Sequence, residues 1–98
     1  MRHGDIDVAE QALLELATVE EHIQVALMHL NSGNEGVCCR ELLAALSRSH
    51  RCKLLVVSLR WRDAPGTLKL LLKDQERWLT NRYQQVEQML AKRLAKLS

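Results

Sequence analysis

Phenylalanine is absent from this chain, and two tryptophans and one tyrosine make up its whole aromatic content, 3% of 98 residues. With one proline and four glycines, and with Leu and Ala dominating the apolar 47%, the composition is that of a helical bundle. No apolar run reaches the roughly 18 to 20 residues of a membrane span, so no span is expected. The opening MRHGDIDVAE has no hydrophobic core of a secretory signal, so an intracellular protein of the cytoplasm or nucleus is expected. No Gly-rich phosphate loop and no nucleophile elbow occur. Glu20, Glu21 and His22 are adjacent and do not have the Glu-x-x-His spacing of a helical metal site. Neither an enzyme nor a cofactor is expected.

Ninety-eight residues suit a single domain spanning 1–98, small enough for association to supply part of its stability. Asp7 and Glu10 have capping-box spacing and predict a helix from about residue 5 to 31. Within it Ile6, Ala9, Leu13, Leu16, Glu20, Ile23, Leu27 and Leu30 repeat with helical spacing, and Ala12, Val19 and Ala26 widen the stripe. A stripe this wide suits a multi-helix bundle better than an isolated two-stranded coiled coil. Glu20 interrupts it, and an arginine partner is expected there. The turn residues Asn31 to Gly36 end the helix, with Gly33 as its left-handed cap. So short a connection favours antiparallel neighbours.

Residues 37–62 hold all three cysteines and the densest apolar run. Read as one helix, they place Cys39, Leu43, Leu46, His50, Leu54, Val57 and Trp61 on one stripe. A second stripe carries Cys38, Leu42, Ala45, Cys52, Val56 and Leu59. Two stripes predict two buried sides. The β-branched segment CKLLVVSLRW also has strand character, but no second run exists to pair with it. In a helix Cys38 and Cys52 stand roughly 21 Å apart, far beyond disulfide reach. Three reduced thiols are expected.

Asp63 and Pro65 mark the start of a third helix over about 66–97, with Asp63 as a candidate cap. Its stripe is Leu68, Leu71 or Leu72, Gln75, Leu79, Tyr83, Val86, Leu90, Leu94 and Leu97, with Trp78 and Met89 alongside. The polar Lys73–Arg77 stretch and the pair Thr80-Asn81 are places where it can kink or divide. The fold class is therefore all-α: a three-helix antiparallel bundle with a long C-terminal helix. At 1.5 Å per residue the third helix is expected to outreach the other two. Its overhang would need a partner.

Charge is segregated. Residues 5–30 carry six acids and no Lys or Arg, whereas 37–62 carry six bases against Glu41 alone. A solvated basic face is the ordinary reading, and Arg40, Arg48, Arg51 and Arg62 are the candidates for contacting a nucleic acid. An antiparallel hairpin would bring His29 towards Cys38 and Cys39, a candidate metal or thiol cluster in which the helix N-terminus and Arg40 favour a thiolate. Adjacent cysteines in a helix point about 100° apart and chelate one ion poorly, so core packing is the expectation. The reading favoured here is a non-enzymatic interaction or assembly module. It binds a protein partner or a second copy, as a homo-oligomer, through Trp78, Leu79, Tyr83, Val86, Leu90 and Leu94.

Overall fold

The computed structural model describes residues 3–61 and 66–97, which form three helices: α1 (His3–Asn31), α2 (Glu35–Trp61) and α3 (Gly66–Leu97). They lie side by side in a rod of 52 × 16 × 16 Å. The segment 52–61 is helical, and no strand occurs among the described residues. The long third helix is not divided: Thr80, expected to weaken it, sends its Oγ1–H back to the Glu76 carbonyl at 2.8 Å and stays within one continuous helix. The expected cap at Asp63, with Pro65 and Arg62, lies outside the described residues.

The first turn departs from expectation at one end only. α1 begins at His3, so Asp7 is an exposed residue inside the helix and does not cap it. At the other end Gly33 has φ +82°, a conformation that costs a side chain but not glycine. The Gly33 N–H donates to the Leu30 carbonyl at 3.2 Å and the Asn34 N–H to the His29 carbonyl at 2.8 Å. This pair of bonds is a Schellman closure of the helix end. The Asn34 carbonyl in turn accepts from the Cys38 N–H at 3.0 Å, so α2 begins where the closure of α1 ends. Only Ser32, Gly33 and Asn34 separate the two helices, and the chain must reverse at once.

Antiparallel pairing of α1 and α2 follows, and three contacts mark its register: Cys52 to the Ala12 carbonyl, Arg48 to Glu15 and His22 to Glu41. The core is one continuous cluster. From α1 it takes Ala9, Ala12, Leu16, Val19, Ile23, Ala26 and Leu30, a repeat of three and four residues along one face. From α2 it takes Cys38, Leu42, Ala45, Cys52 and Val56, and from α3 Leu72, Leu79, Val86 and Leu90. The small side chains Ala9, Ala12, Ala26, Ala45, Cys38 and Cys52 let α1 and α2 approach closely, as helix packing distance depends on side chains at the contact. α3, which brings leucines and Tyr83, touches each of the others less extensively than they touch one another.

Two expectations about burial are corrected here. α2 buries only one of its two apolar stripes, because the stripe of smaller residues is the one that fits against α1. Of the other, Cys39, Leu43, Leu46, His50, Leu54 and Val57 are all exposed. Less of α3 is left uncovered than expected. Arg93, one turn from its end, reaches Glu35 at the start of α2, Nη1 to Oε1 at 3.8 Å, and Leu90 is buried.

Candidate interaction surface

The outer side of α2 is an apolar ridge facing water: Leu54 is 68% exposed, Leu43 59%, Leu46 49% and Val57 44%. Its residues recur every three or four positions, so they share one face of the helix. The ridge joins three depressions. Leu43, Leu46, His50 and Leu54 line one on α2 itself. Leu54 also lines an open groove of about 500 Å³ with Leu14 and Glu15 of α1 and with Arg51. Leu46 continues into a cleft of about 300 Å³ between α2 and α3, walled by Lys53, Glu76, Tyr83 and Glu87 and reaching Leu16 and Val19. Contiguous exposed apolar surface of this kind is characteristic of docking sites.

The electrostatics of the ridge depend on where α2 sends its acids. Glu41 accepts from His22 Nδ1–H at 2.6 Å across the α1–α2 contact, and Glu35 faces Arg93 of α3. Both carboxylates are thus turned into the chain's own bundle. Arg40, Arg51 and Lys53 are left exposed beside the ridge. Arg48, another member of the expected arginine strip, is tied to Glu15 of α1 at 3.5 Å. The strip that remains for a nucleic acid among the described residues is Arg40 and Arg51, with Arg62 outside them. Glu20 is met by Gln24 Nε2–H at 3.4 Å, one turn along its own helix, and not by an arginine.

The face expected to bind a partner is split by the fold. Leu79, Val86 and Leu90 are core residues and offer no free surface, while Tyr83 packs half-buried against that core. Burial raises the Tyr83 phenol above its usual range, with Glu87 and Cys39 adding to the effect. Trp78 and Leu94 remain on the surface, each 47% exposed. The Arg82 guanidinium sits 5.3 Å from the Trp78 ring centroid, a cation–π contact.

The cysteines do not gather. Cys38 and Cys52 are buried and Cys39 is exposed, all as free thiols. Burial raises the Cys38 thiol, and the neighbouring Cys39 and Glu35 raise it further, so desolvation outweighs the helix N-terminus that was expected to favour a thiolate. Cys52 is pushed up to about 11, by burial first, then Glu76 and Glu15, against the opposing Lys53. Its Sγ–H points to the Ala12 carbonyl at 3.7 Å. No three His, Cys, Asp or Glu side chains among the described residues come together to hold a metal ion, so His29, Cys38 and Cys39 form no such centre.

Sequence reasoning missed His22 and Glu41 as partners because they lie 19 residues apart and their meeting depends on the hairpin register. The α2 ridge was visible as a stripe but assigned to the interior. No family model, curated protein or solved structure matches the chain.

Proposed function

We propose that the chain is a non-enzymatic helical interaction module that docks another helix on the outer ridge of α2. The observation that carries this reading is the exposure of Leu43, Leu46, Leu54 and Val57 along one face, at the spacing an amphipathic helix uses to seat a partner. Exposed singly, such residues need no explanation. Four on one ridge, joined to grooves on either side, give a surface that loses unfavourable contact with water when covered. The basic side chains at its edge favour a partner of negative charge and set its orientation more than its affinity.

A photo-crosslinking residue at position 54, installed in the chain in the cells that express it, tests the reading. A discrete adduct is expected from position 54 and none from position 74, where Asp74 is exposed on the polar face of α3. The absence of any adduct at 54 would leave the ridge without an occupant and end the proposal.

A further inference from the structure

We infer that the occupant of the α2 ridge is α1 of a second copy of the chain, packed antiparallel and head to tail; this rests on the docking reading above. α1 carries an outer ridge of its own, directed away from the core. Leu14 is 67% and Met28 59% exposed, and Ala17, Glu21 and Gln24 between them are exposed as well. Two ridges of three-and-four spacing run in opposite directions match layer by layer only when the order of their steps coincides. Here four of the five layers coincide at one register, while ridge residue Leu46 stands one position out of step, with Ser47 in its place. Leu14 falls on Val57, Ala17 on Leu54 and Met28 on Leu43. The two polar layers also meet, Glu21 on His50 and Gln24 on Ser47. Shifted by one heptad, Leu14 falls on His50 and Glu21 on Leu43, so polar groups would be buried against apolar ones.

Charge selects this occupant over the obvious rival. The α2 ridge would also seat a second α2 ridge, leucine on leucine, but that brings Arg40, Arg51 and Lys53 of both copies together. Neither of α2's acids is available to offset them, since Glu41 faces His22 and Glu35 faces Arg93. The exposed side of α1 is the opposite case: Asp7, Glu10 and Glu21 are exposed on it, and residues 5–30 contain no Lys or Arg. Acidic α1 against basic α2 is complementary, and like charges across a contact disfavour the wrong pairing. Because the two surfaces differ, a pair of copies keeps one of each free, and the contact is heterologous.

Two single substitutions at exposed positions test this without disturbing the core. Met28→Asp blocks only the α1 ridge and Leu43→Asp only the α2 ridge, since both lie outside the groove that Leu14 and Leu54 share; far-UV circular dichroism and melting confirm that both variants keep the fold. The wild type is expected to grow past twice the 11.2 kDa chain mass as concentration rises in light scattering. Each variant alone is expected at the mass of one chain. Their equimolar mixture has one competent contact and should give a dimer that grows no further. Self-association of Met28→Asp alone would mean α2 on α2 and overturn the inference. A wild type that stays at one chain mass at every concentration also overturns it. In that case an adduct at position 54 with a different protein preserves the docking reading, whereas no adduct removes both.

Discussion

His22 and Glu41 meet across the α1–α2 contact with Nδ1 and Oε2 2.6 Å apart, their side chains 28% and 27% exposed. An ionised carboxylate only accepts, so the imidazole proton must sit on Nδ1. A partly buried bond of this kind contributes on the order of 1 kcal/mol. A double-mutant cycle of His22→Ala and Glu41→Ala, read by urea unfolding, is expected to give a coupling of about that size. Additive losses would show that the two side chains act independently.

The three thiols should differ sharply in reactivity. Native protein is expected to take one equivalent of alkylating reagent quickly, at exposed Cys39, and all three in denaturant; intact mass counts them. The buried Cys52 also links stability to pH. Its pKa rises from 9.0 to about 11 on folding, so below pH 9 both states hold the proton and its contribution is complete. Between those values the unfolded chain loses the proton first, and stability falls as pH rises. Cys38 and Tyr83 shift the same way, so the comparison is with Cys52→Ala, whose decline over that window should be shallower.

Two glycines near the α1–α2 reversal are expected to respond oppositely to alanine. An added Cβ meets nothing within 4 Å at either Gly33 or Gly36, so backbone preference alone decides. Gly33, at φ +82°, should lose about 1–2 kcal/mol as alanine, and less as asparagine. Gly36 lies in the first turn of α2, where alanine should gain up to about 1 kcal/mol. Thermal melts of Gly33→Ala and Gly36→Ala distinguish the signs.

The periodic apolar pattern was enough to place all three helices, with the start of α1 moved from about residue 5 to His3 and the start of α2 from about residue 37 to Glu35. Gly33 announced its own role, because few residues other than glycine stop a helix that way. What the pattern did not disclose was which of two adjacent stripes goes inside. Counting hydrophobicity in α2 favours the bulkier Leu43, Leu46, Leu54 and Val57, but Ala9, Ala12 and Ala26 make α1 a slender neighbour. Close approach then selects Cys38, Ala45 and Cys52, whose small size reads as weakness in a sequence and as fit in a packed pair. The same rotation placed Glu20 at the margin of the α1 seam, where Gln24 suffices. It also drew Leu79, Val86 and Leu90 inward, leaving only Trp78 and Leu94 of the expected partner face well exposed.

The three-residue reversal between α1 and α2, together with the lighter hold on α3, divides the molecule into two layers of unequal persistence. Contacts close in sequence form at low entropic cost, so the α1–α2 hairpin is the last unit to open and α3 the first to leave it. Amide exchange should follow that order, with α3 protons lost well before those of α1; simultaneous loss would mean a single cooperative unit. When α3 lifts away, Leu79, Val86 and Leu90 come into the open together with the surface of α1 and α2 that they cover. The hydrophobic seam hidden at rest is then a second sticky surface, present only in a minority population, and it is where uncontrolled aggregation of this chain would begin.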